Sequence, residues 1–438
     1  MLNPKANLAL ASALDDVIAR FSAANPKSME RHERAKAVLP GGNTRAVMYY
    51  PPFPVSIVQG EGCHVTDMDG HVYVDFVTEY TAGLYGHSNP SIAAALKGAI
   101  DDGIMLGGPN RHEAQLAAAL VERFPAYERV RFCNSGTEAN IMALSTARAT
   151  TGRKTIMIFR EGYHGGVLSF SKNGSPLNVP YPYVTATYND MEGTRALIRQ
   201  HAADLAAVIL EPMLGGGGCI LATPEFLTML REETSTAGAL MILDEVMTSR
   251  LAYDALHGAL GLDPDLVTMG KYLGGGASFG VFGGRASIMD RFDPSSPDAF
   301  PHGGTFNNNV LSMAAGTAGL TQVLTEPVVT RMNDLGDQMR EALNRSLQRA
   351  RVGACVTGRG SMMALHFVPG PVTTPADRLA GNPQFHQLWQ LEMLLRGCYV
   401  TPRGMLSLSI EVGQAEVDRF IECFEDFLQV NASVLPSA

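Results

Sequence analysis

Two apolar runs in this 438-residue chain end in groups that could do chemistry together. Leu240-Met241-Ile242-Leu243 is followed by Asp244-Glu245, and Thr268-Met269-Gly270 by Lys271. A carboxylate at the end of a buried strand is costly unless it meets a cation. A protonated pyridine ring would serve, and so would a metal ion; a helix N-cap is the structural alternative. A lysine beside glycines can approach a ligand closely, and desolvation near positive charge would make its amine nucleophilic. A single lysine is more often just solvated. Here one helix and one strand separate Asp244 from Lys271. That spacing puts both at the carboxyl edge of a parallel sheet, where α/β proteins bind ligands.

Two further stretches fit such a site. Asn134-Ser135-Gly136-Thr137-Glu138-Ala139-Asn140 follows a strand and opens a helix. Its small and hydroxyl residues would aim donors at an anion from a helix N-terminus, although a plain N-cap fits the same residues. Gly162-Tyr163-His164-Gly165-Gly166 offers a tyrosine on a glycine-flanked turn, able to lie flat on a planar ring. His164 suits an acid/base group and a hydrogen-bonded structural histidine equally. No G-x-x-x-x-G-K-[ST] run occurs, which excludes a Walker-type nucleotide site. Gly215 to Gly218 lacks the context of a dinucleotide fingerprint and reads as a loop.

The elements that must position these groups follow from periodicity. Continuous apolar strands are expected at 130–133, 155–159, 184–187, 207–210, 240–243 and 266–269, alternating with helices. That pattern implies a mostly parallel α/β sheet covered on both faces. Residues 54–78 alternate around the turn Met68-Asp69-Gly70 and predict antiparallel strands. Residues 8–21 predict an amphipathic helix. Two long helices are expected after Val310, and the tail mixes strands at 353–356, 362–367, 398–401 and 406–410 with helices. The expected division is an N-terminal segment 1–75, a large domain 76–325 and a C-terminal small domain 326–438.

Composition bounds the function. Hydrophobic residues at 46% and charged residues at 18% describe a globular chain. A net charge of −9 without a basic stripe argues against nucleic acid or an acidic membrane as partner. No apolar run reaches the ~20 residues of a membrane span. Six scattered cysteines, none in a C-x-x-C pair, suit a reducing cytoplasm and give no zinc signature.

Together these motifs resemble the class III aminotransferases of pyridoxal phosphate (PLP) fold type I, in the branch that includes glutamate-1-semialdehyde aminomutase. The resemblance runs from about Ala35 to the C-terminus and includes Leu39-Pro40-Gly41-Gly42-Asn43, Gly86-His87, Glu211-Pro212 and the motifs above. It implies a large domain with a seven-stranded-type sheet and a small α+β domain built from both chain ends. It implies pyridoxal 5'-phosphate as cofactor, with Lys271 its Schiff-base lysine and proton-shuttling base. Asp244 would hold the pyridine nitrogen protonated. Tyr163 and Val246 would cover the two ring faces, and Glu211 would belong to the cofactor site. Ser135, Gly136 and Thr137 would form the phosphate cup. Thr305, in Gly303-Gly304-Thr305-Phe306, would reach the phosphate of the second subunit, which makes the protein a homodimer with shared sites.

Departures from the aminomutase pattern point to substrate. Asn43-Thr44-Arg45-Ala46-Val47, Ser249-Arg250-Leu251, Phe306-Asn307-Asn308-Asn309 and Thr401-Pro402-Arg403-Gly404 resemble the β-amino-acid (β-phenylalanine-type) aminotransferases. Arg45 and Arg403 would bind the carboxylates of an amino donor and of a keto acid such as 2-oxoglutarate. Two plain surface arginines are the alternative. Tyr49, Tyr50 and Phe53 suit an apolar pocket wall or core packing. The rival activities are the aminomutase reaction and a non-catalytic PLP-binding regulator.

Overall fold

The computed structural model describes residues 4–171 and 174–438. A seven-stranded sheet forms its centre. Across it the strands run Arg129–Cys133, Gly280–Gly284, Leu266–Gly270, Leu240–Asp244, Leu205–Leu210, Thr155–Phe159 and Tyr183–Ala186. All neighbours pair in parallel except Gly280–Gly284, which is antiparallel to both of its partners.

The apolar runs are strands because both sheet faces are covered. Every residue of Leu205–Leu210 and of Leu266–Gly270 is buried. Each Leu, Ile or Val side chain so buried contributes about 1.5–3 kcal/mol. The six expected strands are all present within a residue or two. The seventh, Gly280–Gly284, is missing from the sequence reading because Gly280, Gly283 and Gly284 look like a loop. Its glycines are there for close approach. A Cβ on Gly280 would lie 2.1 Å from the Ser135 carbonyl oxygen.

The chain ends meet beside this sheet. Ile57–Glu61, His64–Asp67 and Val72–Asp75 form an antiparallel meander. Cys398–Tyr399 joins it in parallel to Val72–Asp75. Cys355–Arg359, Met362–His366 and Met405–Ser407 make a second small antiparallel sheet. The expected last strand stops at Ser407 because the carbonyl of Leu408 turns to accept from Arg250 and that of Ile410 from Arg331. The N-terminal helix Pro4–Ala24 buries Leu10, Leu14, Val17 and Phe21, one apolar stripe at helical spacing. Phe21 packs on Tyr50 and Phe53. Both of these aromatics are buried, so their role is core packing; Tyr49 is exposed.

Candidate active site

The carboxyl edge of the sheet gathers the expected residues. Asp244 ends one strand and pairs in register with Thr268 on the next, three residues before Lys271. Asp244 is buried, and its Oδ2 accepts from Asn140 Nδ2 and His164 Nδ1, each at 2.8 Å. Its Oδ1 accepts from the Val246 amide at 3.0 Å. A carboxylate has about four acceptor positions, so capacity remains for a cation. His164 therefore stands behind Asp244 and orients it. Its Nε2 is buried without a hydrogen-bond partner.

The neighbouring acid, Glu245, points to the other face, as adjacent strand residues must. It accepts from the amides of Leu256 and His257 and from the His257 ring. The helix-capping alternative thus belongs to Glu245.

Lys271 is half-buried, with its amine shielded from solvent, and that desolvation lowers the amine to about 7, against the opposing pull of Asp244 and Glu211. Its Nζ donates to the Tyr80 carbonyl at 2.6 Å and to Thr81 Oγ1 at 3.1 Å. An amine with that basicity is substantially neutral near pH 7, as a nucleophile must be.

Ser135 caps the helix Gly136–Thr151, its Oγ accepting from the Glu138 amide at 3.1 Å. The first turn leaves the Gly136 and Thr137 amides without intrahelical acceptors, an anion-binding arrangement. A Cβ on Gly136 would meet the Val246 side chain at 2.8 Å, and one on Gly165 would meet Thr137 Oγ1 at 2.3 Å. Thr137 Oγ1 accepts from the Gly166 amide. Glu211 is buried and spans two loops, with Oε1 on the Tyr163 amide and Oε2 on the Gly215 amide. Burial raises its carboxyl, and His164 draws it back. Tyr163 itself is half exposed.

Arg45 and Arg403 come from opposite ends of the chain to this same place. Burial raises the phenols of Tyr80 and Tyr163, and both guanidinium groups oppose that rise. Arg45 pairs with Glu79 and lies 5.7 Å from the centre of the Tyr80 ring. Arg403 has no carboxylate partner among the described residues. Thr305 is exposed, and the segment around it is tied down by Asn134 to Asn307 at 2.9 Å and Arg131 to His302 at 2.9 Å.

Sequence reasoning missed Asn140, Tyr80, Thr81 and Glu79. Asn140 stood in the helix-opening motif without a role of its own, and its signal was an amide on the helix face of Gly136, Ala143, Leu144 and Ala147, all small or apolar. The other three lie in a loop with no periodic pattern.

The lysine, the buried carboxylate and the anion cup fit a planar cationic ring with a phosphate arm. Such a set of groups is what a PLP-dependent enzyme on the type I fold requires. The chain belongs to the class III aminotransferases, whose family model matches residues 46–381. It is 45% identical over 98% of its length to a β-phenylalanine transaminase of Variovorax paradoxus, covering 99% of that protein. A crystal structure of a β-phenylalanine aminotransferase from Variovorax paradoxus superposes with a TM-score of 0.96, covering 98% of this chain and 100% of the other at 45% identity. A glutamate-1-semialdehyde 2,1-aminomutase of Rhodopirellula baltica is 37% identical over 84% of this chain and 88% of its own length. The cofactor is pyridoxal 5'-phosphate, and the enzyme is an aminotransferase.

Proposed function

We propose that this enzyme moves the amino group of a β-amino acid, aromatic ones included, to a keto acid such as 2-oxoglutarate. The observation that carries this reading is Arg45 lying 5.7 Å from the centre of the Tyr80 ring, with the Tyr80 carbonyl on Lys271 Nζ at 2.6 Å, and Arg403 close enough to act on the same Tyr80 and Tyr163 phenols. A transaminase must bind two substrates in one pocket, and both carry carboxylates. Arginine's planar fork takes both oxygens of each. In a β-amino acid the carboxylate lies one carbon further from the reacting amine than in an α-amino acid. Arg45 receives that displaced carboxylate and releases Glu79 to do so. Arg403 receives a carboxylate of the keto acid and moves aside for an aromatic group.

When bound, PLP supplies an electron sink that makes the substrate's C–H bond acidic. The chain does the rest. Lys271 Nζ holds and delivers the proton. Asp244, oriented by His164 and Asn140, would keep the ring nitrogen protonated. Tyr163 and Val246 would cover the ring, Glu211 fixes the Tyr163 loop, and Ser135, Gly136 and Thr137 would hold the phosphate. The test is to give the PLP-loaded protein β-phenylalanine and 2-oxoglutarate and to measure glutamate formed. Inactivity with β-amino acids together with isomerisation of glutamate-1-semialdehyde would establish the aminomutase instead.

The arginine assignment makes its own prediction. Losing one bidentate contact should cost about 2–4 kcal/mol, on the order of 30- to 1000-fold in kcat/KM. With the half-reactions measured separately, Arg45→Ala should damage the β-amino-acid half most. Arg403→Ala should damage the keto-acid half most. Equal losses in both halves from either change would contradict the division of labour.

The same reading makes the protein a homodimer in which Thr305 reaches the partner's phosphate site, and the exposure of Thr305 supports it. Sedimentation of the holoenzyme should give twice the chain mass; an active, PLP-saturated monomer would overturn this. We keep the division into 1–75, 76–325 and 326–438. It is supported by the pairing of Val72–Asp75 with Cys398–Tyr399, while all seven central strands lie between Arg129 and Gly284. A cytoplasmic location is supported by six cysteines that are all free. Among the described residues no helix is long and apolar enough to cross a membrane.

A further inference from the structure

Four consecutive residues with side chains, Thr78, Glu79, Tyr80 and Thr81, have φ of 42°, 51°, 53° and 76°. L-residues avoid this left-handed region, and a run of four is a left-handed turn. Such strain persists only where the surroundings over-determine it, and it gathers at functional sites.

The surroundings here are specific. Asp75 Oδ1 accepts from the amides of Val77 and Thr78 at 2.8 and 2.9 Å and so anchors the entry. The Gly83 amide donates to the Thr78 carbonyl at 2.7 Å and closes the exit. The Tyr80 hydroxyl donates to the Val47 carbonyl at 2.9 Å. Arg250 is fully buried, has no carboxylate partner among the described residues, and donates to the Thr81 and Leu408 carbonyls and to Ser361 Oγ. The turn places two oxygens on Lys271 Nζ, the Tyr80 carbonyl at 2.6 Å and Thr81 Oγ1 at 3.1 Å. Lys271 itself has a positive φ of 55°, so both sides of this contact are strained backbone.

We propose that Thr81 is a positioning residue for Lys271: its hydroxyl, with the Tyr80 carbonyl, forms a cradle that holds the free amine in place whenever the amine is not linked to the cofactor. The inference rests on the reading of Lys271 as the cofactor lysine. Transamination frees this amine in every cycle and needs it back as a base at a defined place. A long, flexible side chain without the cradle would have to search for that place, at a cost in rate. The hydroxyl also stabilises the charged form of the amine by accepting from it. It acts with Asp244 and Glu211, which raise the amine, and against burial, Arg250 and Arg45, which lower it.

The test uses the full-length holoenzyme converted to its pyridoxamine form, in which Lys271 is free. Reductive methylation with formaldehyde and cyanoborohydride is followed at Lys271 by peptide mass spectrometry across pH. Thr81→Val removes the acceptor at constant shape and should move the labelling midpoint to lower pH by about half a unit, roughly a threefold change in free amine at fixed pH. Turnover should fall about tenfold, with donor KM within twofold. Thr81→Ser restores the hydroxyl and should follow the parent. Thr81→Ala serves if the valine variant does not fold. A valine or alanine midpoint equal to the parent's, or a serine variant shifted as far, would overturn the proposal. In the pyridoxamine form Lys271 carries no cofactor, so the labelling midpoint reads the amine itself and stands apart from the Lys271→Ala experiment, whose failure would overturn the reading beneath it.

Discussion

Lys271→Ala should abolish the visible-edge absorbance of lysine-linked PLP and nearly all turnover. On the proposed assignment, two functions leave with one side chain. The first is the nucleophile that attaches the cofactor, an amine that burial brings down to about 7. The second is the base that moves the substrate's proton, and general base catalysis alone is worth roughly 100- to 10,000-fold. At about 1.4 kcal/mol per factor of ten, that is about 3–5 kcal/mol before the nucleophile is counted, at least as much as one arginine–carboxylate contact. PLP should still bind through its phosphate, because the cup residues and Asp244 are untouched. The measurement is an absorbance spectrum and a single-turnover assay with β-phenylalanine. A variant that transaminates near the parent rate would remove Lys271 from the mechanism, and with it the case for the whole site.

Asp244→Asn should slow the chemistry by about a thousandfold while leaving part of the cofactor bound. The change is nearly isosteric, so its effect is electrostatic. A unit charge about 4 Å from a protonated ring nitrogen contributes about 4 kcal/mol at an effective dielectric of 20, or roughly three powers of ten in rate. With its oxygen in the place of Oδ2 the amide still accepts from both Asn140 and His164, but its NH2 then faces the Val246 amide, so one of the three orienting bonds is lost. Turnover should suffer far more than the PLP dissociation constant. A variant that loses all PLP yet regains full rate in excess cofactor would make Asp244 a binding residue only. Unchanged turnover would remove it from the site.

The difference between these two residues and the rest of the site is one of legibility. Asp244 and Lys271 each end a continuous apolar run, and strand periodicity alone places them on one edge. The helix N-terminus of the proposed phosphate cup is legible because it has a local signature, Ser135 followed by Glu138. Tyr80 and Thr81 had no such signature. Their oxygens reach Lys271 only because four residues adopt φ that their types disfavour, with Asp75 bonding the entry of the turn locally and Arg250 holding Thr81 from far along the chain. The strand Gly280–Gly284 was invisible for a related reason. Its only apolar side chains are Val281 and Phe282, too short a run to mark a strand, and the neighbours of Gly280, Gly283 and Gly284 leave no room for more.

By itself the sequence determined the class of fold, the order of six of its seven central strands along the chain and the placing of a buried acid and a lysine on one edge. Those properties follow from hydrophobic period and from end-of-strand position, which are local. Only the tertiary structure decided which atoms meet. It turned Asp244 toward His164 and Asn140 and gave Glu245 to the opposite face as a helix cap. It inserted an antiparallel strand beside the Lys271 strand, and it sent Tyr50 and Phe53 to the core. It brought Arg45 and Arg403, 358 positions apart, to the same two tyrosines. These are contacts between residues distant in sequence, set by packing of whole elements, and no local pattern in the chain encodes them.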